Sequence, residues 1–289
     1  MVAPGSDWSE SVAHAASARA EQIAMALDGM PPAAMARALP AYQLAFSLYG
    51  GRFQKILTQL RSLPASAIVL VASKLVKSHQ IMHVLDLPHT LVDSLQSISD
   101  SPKVVFLGCQ NSVSLPGDKV SELLANGATL ITSDKSALPS PMKDVLSPAN
   151  PRPARIARVR WSASDDPSTG NTTAIDPHML PGVYLPAGHV PVAISDAASS
   201  HLDVIAVDSL TNEPIIVHAE VGGGHLVHAV PHWWQHDVIA RTVVDRRRLN
   251  VIPSFAPLGA RAGDVTFGEL QAARTMLCGL LTGLGASTR

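Results

Sequence analysis

Residues 213–237 read EPIIVHAEVGGGHLVHAVPHWWQHD, and five of the chain's twelve histidines and two of its four tryptophans fall within them. Imidazoles titrate near neutral pH, so this density offers general acids, general bases or metal ligands, and indole faces offer stacking surfaces for a sugar or planar ligand. His218 and Glu220 sit two positions apart. On a strand they share a face and can work as base and orienter. His232 and His236 are four apart, so a helix after Pro231 puts both imidazoles on one side, a spacing that can hold a transition metal with Asp237 as third ligand. No His-Glu-x-x-His pattern accompanies them, and two histidines on a surface turn more often ligate nothing. No metal and no cofactor is therefore assigned. His225 faces opposite to His228 along one strand, so the five histidines cannot all converge, and His218, His228 and His232 are left as candidate neighbours.

Two further stretches carry chemistry at the ends of apolar runs. Cys109 follows KVVFL and is trailed by Gln110, Asn111 and Ser112, which puts a thiol and hydrogen-bonding side chains where α/β sheets keep their sites. The competing role is a buried, unreactive cysteine followed by turn residues. Ser133 and Asp134 follow ATLIT at the corresponding point of the next run, with helix capping as the alternative role. Trp233 and Trp234 either stack on a ligand or plug the gap between sheet and final helix. The candidate catalytic set is thus Cys109, Ser133, His218, Glu220 and His232. Gln110, Asn111, Asp134, Trp233, Trp234 and His236 are the expected ligand-lining residues.

The elements that must position these groups follow from periodicity. Residues 8–27, 33–49 and 52–63 repeat apolar positions at helical spacing, separated by Gly29-Met30-Pro31-Pro32, Pro40 and Gly50-Gly51, and form an N-terminal helical extension. At residue 67 the period changes. Residues 68–72 (IVLVA), 103–107 (KVVFL) and 128–132 (ATLIT) are short continuous apolar runs of strands buried on both faces, and 81–87 reads as another, followed by a helix over 89–98. An amphipathic helix over 118–126, ended by Gly127, completes an alternation that implies parallel strands with right-handed crossovers. Residues 162–190 are a long, turn-rich insertion containing His178, Tyr184 and His189, a candidate lid. Residues 155–161, 190–195 and 204–207 then lead into a hairpin, 214–220 and 225–230, joined by Gly222-Gly223-Gly224. A helix over 267–284 closes the chain.

Composition excludes several classes. With 289 residues, 46% hydrophobic, 16% charged and a formal net charge of −1, the chain has core enough to fold and no electrostatic footprint for nucleic acid. Four arginines in 241–248 read as a solvated face. Cys109 and Cys278 match no metal or redox spacing, and no run approaches the ~20 apolar residues of a membrane span. The beginning of the chain lacks the basic start and apolar core of a signal peptide. A cytoplasmic protein is expected, with a small-molecule ligand, no nucleic acid and no membrane partner; a homodimer is left open.

The succession KVVFLGC, an amphipathic helix ending in Asn126-Gly127, ATLITSD, and an antiparallel pair joined by GGGH resembles the class I glutamine amidotransferase-like superfamily over residues 67–230. Its trehalose-utilisation (ThuA-like) branch is the nearest in flavour. The resemblance implies an α/β domain over 65–289 with a flavodoxin-like, three-layer, mostly parallel sheet, carrying the 1–64 helical extension and an antiparallel hairpin extension. It also implies a His-x-Glu pair, which His218-Ala219-Glu220 matches. Where the family has its Gly-x-Cys-x-Gly nucleophile elbow, this chain reads Ser133-Asp134-Lys135-Ser136-Ala137. The function so implied is a nucleophile-free, accessory protein binding a small ligand, sugar-like if the tryptophans stack on it, at the C-terminal strand edge. The alternative is a hydrolase or transferase using Cys109 or Ser133 with His218, Glu220 and His232, for which nucleophile and base must lie within hydrogen-bond reach.

Overall fold

The computed structural model describes residues 38–72, 78–98, 101–107, 116–133, 146–148, 152–153, 155–161, 182–186, 189, 191–194, 202–234, 247–252, 255 and 265–287. The helix expected over 8–27 lies outside them. Strands β1 (Ile68–Val71), β3 (Val104–Leu107) and β4 (Thr129–Ser133) are buried at every position, the pattern of strands covered on both faces. They pair in parallel, β1 with β3 and β3 with β4, as their apolar runs require. The helix α4 (Gly117–Ala125) connects β3 to β4, burying Val120, Leu123 and Leu124.

The segment between β1 and β3 differs from the sequence reading. Residues 78–85 form helix α3 (Ser78–Leu85), and the strand of this unit is β2 (Thr90–Val92), parallel to β1 at the sheet edge. A short apolar run fits a buried helix as well as a strand, and here Ile81, Met82 and Leu85 fall on one helical face while His83 is exposed. The order helix then strand replaces strand then helix.

Nine strands form one mixed sheet in the order β2-β1-β3-β4-β11-β10-β9-β6-β7. Its second half is β6 (Arg155–Trp161), β7 (Gly182–Leu185), β9 (Leu202–Asp208), β10 (Pro214–Val221) and β11 (Gly224–Ala229). β11 runs parallel to β4, and from β11 onward every pairing is antiparallel, so the sheet is parallel in one half and antiparallel in the other, not mostly parallel. The end of the 162–190 insertion is itself a strand, β7, bonded along β6; residues 162–181 lie outside the described part. β5 (Leu146–Pro148) and β8 (Val192–Ile194) pair separately.

The hairpin forms as read, but tighter. Only Gly222 and Gly223 make its loop, with φ of 61° and 94°, a left-handed pair open to glycine, and Gly224 already belongs to β11. One helix, α5 (Phe267–Ala286), covers the β10–β11 face; it is buried nearly along its length, its polar Glu269, Gln271, Arg274 and Thr275 included. It approaches closely because Gly279 and Gly283 face the sheet: a Cβ on them would stand 2.4 Å from Ile216 Cδ1 and 2.5 Å from Val227 Cγ1. Helix α1 (Ala38–Tyr49), followed by a 3-10 turn (Gly50–Phe53) and α2 (Gln54–Arg61), packs along α5. The described part of the N-terminal extension is thus an outer layer on α5.

Candidate functional site

The C-terminal ends of the parallel strands bring together Thr132, Ser133, His228 and the turn after β11. Thr132 and His228 occupy the same row of adjacent strands, and Thr132 Oγ1 shares a 2.8 Å hydrogen bond with His228 Nδ1. Trp233 Nε1 donates to Thr132 O at 2.9 Å, and Tyr42 of α1 donates from its hydroxyl to Trp233 O at 2.7 Å. Trp234 stacks on the Tyr42 ring with centroids 4.3 Å apart. Both indoles are 2% exposed. The chain's own groups cover them, and they plug the space between the strand ends and α1.

Ser133 differs from its neighbours. It ends β4 opposite Ala229, on the face shared by Ile131 and Val227 and covered by α5. Its side chain is 1% exposed, and among the described residues its Oγ has no hydrogen-bond partner. A buried hydroxyl left unpaired costs about 1–3 kcal/mol, and most such groups find partners.

A second polar cluster lies across β9, β10 and β11. His218 Nδ1 is 3.3 Å from Asp203 Oδ2, and His218 Nε2 is 3.2 Å from His225 Nδ1, the two rings stacked with centroids 5.3 Å apart. The carboxylate only accepts, so the network assigns the proton to His218 Nδ1, and Nε2 then accepts from His225 Nδ1–H. That leaves His225 Nε2 as the basic end of the chain. Burial lowers the His225 pKa, the neighbouring His218 lowers it further, and Glu220 opposes them. His225 and Glu220 border an open depression of about 480 Å³ with Val221, Gly222, Gly223 and Gly224.

The predicted residues therefore divide. His218 and Glu220 share a face as read, but the carboxylate bonded to His218 is Asp203, its direct partner on the neighbouring strand and invisible without the β9–β10 register. His218 pairs with Val227 and His228 with Val217, so the two histidines point to opposite faces and are not neighbours. His232 follows β11 at the same edge as Ser133 and is half-buried. From Ser133 to His218 is two residues along the strands and two strands across, about 12 Å between α carbons, against the ~3 Å of a hydrogen bond. Ser133 and His218 do not form a dyad. Cys109, Gln110, Asn111, Asp134, His236 and Asp237 lie outside the described residues, and so does any helix joining His232 to His236. Among the described residues no group of three or more His, Cys, Asp or Glu is arranged to hold a metal. Thr132, Asp203 and Tyr42 were missed by sequence reasoning; each acts through a partner on a distant strand or helix.

No family model matches the chain, and no curated protein does. Solved structures similar to it include an exo-β-1,4-mannosidase from an Opitutaceae bacterium, at 9% identity and TM-score 0.39 over 67% of this chain and 35% of that one. A β-galactosidase from Bacillus circulans sp. alkalophilus matches at 10% identity and TM-score 0.36, over 63% of this chain and 31% of its own. A cytoplasmic protein from Salmonella typhimurium matches at 12% identity and TM-score 0.33, over 60% and 74%. The chain thus spans about a third of the length of these glycosidases, and at such identities and TM-scores the likeness carries neither an activity nor a substrate to it.

Proposed function

We propose that the chain is a small-molecule-binding protein of amidotransferase-like architecture, flavodoxin-like in its parallel half, that works in the cytoplasm without the superfamily's nucleophile and holds its ligand at the C-terminal strand edge beside Ser133. The observation that carries this reading is the Ser133 hydroxyl, fully buried and, among the described residues, unpartnered where strand ends meet. A ligand atom bonded to it would recover about 1–3 kcal/mol. Support for the architecture comes from the parallel order β1-β3-β4, the α4 crossover and the glycine hairpin standing in the expected succession. With both tryptophans covered, the ligand is held by hydrogen bonds and not by indole stacking, so a small polar molecule, a sugar or polyol, fits best.

The test is a thermal-unfolding screen of monosaccharides, polyols and amino acids against the wild type, Ser133→Ala and Glu220→Gln. A ligand at a hundred times its Kd stabilises by about 2.7 kcal/mol. At least one compound is expected to raise the Tm of the wild type and of Glu220→Gln while leaving Ser133→Ala unmoved. The alternative, a hydrolase or transferase, is favoured by one observation, the Asp203–His218–His225 chain with its basic end at an open depression. Under that reading the response is lost in Glu220→Gln and kept in Ser133→Ala.

A further inference from the structure

Arg274 lies on the side of α5 turned from the sheet toward α1, and it is 5% exposed. The ion pairs among the described residues leave it without a carboxylate. Its guanidinium carbon sits 4.6 Å from the centroid of the Tyr49 ring, and Nη1 reaches Gln271 Oε1 at 3.4 Å. Among the described residues, Arg274 Nε and Gln271 Nε2 have no hydrogen-bond partner, and the Tyr49 hydroxyl, drawn to the Arg274 guanidinium, has no acceptor for its own proton. All three can donate. Burial raises the pKa of Tyr49 against the opposing pull of the Arg274 guanidinium, and pushes that of Cys278, one turn further along α5, up to about 11, so at neutral pH neither phenol nor thiol supplies a negative charge. Arg52 adds a second positive charge, close enough to act on Cys278 as Arg274 does.

A buried cation is tolerated when it is paired and its donors are met. What is missing here is an acceptor, and the two arginines fix its sign. We propose that Arg274, Gln271 and Tyr49 form a binding site for an oxyanion, the carboxylate or phosphate group of a small ligand, with Arg52 at its border. A planar guanidinium matches the oxygen spacing of either group. The site lies toward the strand-end side of the molecule: Gly279 abuts Ile216, in the row of Ala229 and Ser133, Gly283 abuts Val227 one step back, and Arg274 precedes both on α5. The proposal stands on these contacts alone and does not require the Ser133 reading.

The full chain is titrated with inorganic phosphate and, separately, with acetate, at constant ionic strength against chloride, with calorimetry and thermal unfolding as readouts. The wild type is expected to bind one of the two oxyanions, the preference telling phosphate from carboxylate. Affinity should fall by about tenfold or more in Arg274→Met, which keeps the apolar stem, and by a smaller factor in Tyr49→Phe. A wild type that responds to phosphate and acetate no more than to chloride overturns the site, as do variants that respond like the wild type. Should Arg274→Met not fold, Tyr49→Phe decides: undiminished binding in it removes the phenol and the proposal with it.

Discussion

At the scale of the residue, burial shifts the titration of His225. The folded-state pKa of His225 is depressed, so the unfolded chain takes up a proton at a higher pH than the folded one. The sign follows: the contribution is absent well above the unfolded value of ~6.5, and stability is lost as pH falls through it toward the folded value. Denaturant midpoints measured between about pH 7 and about pH 5 should therefore drop less in His225→Asn than in the wild type. An equal drop in both would place the acid sensitivity elsewhere. Strand parity alone showed that His218 and Glu220 share a face and that His225 and His228 do not, because alternation is a local property. Asp203 was not legible, since its place beside His218 is set by the β9–β10 register, which has shifts near Ile216. The burial of Trp233 and Trp234 was not legible either; it depends on Tyr42, about 190 positions earlier in the chain.

At the scale of the element, the parallel strands and the hairpin were readable because each is an apolar run bounded by its own turn chemistry. The exchange of helix and strand between β1 and β3 was not, because residues 81–87 satisfy both periods and only the packing of Ile81, Met82 and Leu85 decides between them. Helix α5 was placed within two residues of its end, yet the device that starts it went unread. Thr266 Oγ1 accepts from Glu269 N at 3.3 Å, and Thr266 N donates to Glu269 Oε2 at 2.7 Å, a reciprocal capping box buried in the structure. Thr266→Ala should cost about 0.5–2 kcal/mol in chemical denaturation. Replacement without a measurable loss would mean that packing alone fixes the start of α5. That start matters for the sites, because α5 carries Arg274 and covers the face on which Ser133 lies.

At the scale of the whole molecule, one sheet changes character at β11. The parallel half offers strand ends and crossover loops, the arrangement that gathers ligands in α/β proteins, while the antiparallel half is closed by Arg155 paired with the fully buried Asp208 and by Arg152 bonded to Glu213. Among the described residues no helix is long and apolar enough to cross a membrane. The α/β class was legible from alternating runs, but the balance of the two halves was not, because strand direction depends on which neighbour a strand finds. The binding function proposed above belongs to the parallel half, at Ser133, while His218 and His225 belong to a separate acid–base chain about 12 Å away. The most direct test is a crystal structure with the stabilising compound from the ligand screen bound. A ligand oxygen or nitrogen is expected about 3 Å from Ser133 Oγ at the strand-end edge; a ligand seated instead between Glu220 and His225, with the Ser133 hydroxyl still unpartnered, would contradict the assignment to Ser133.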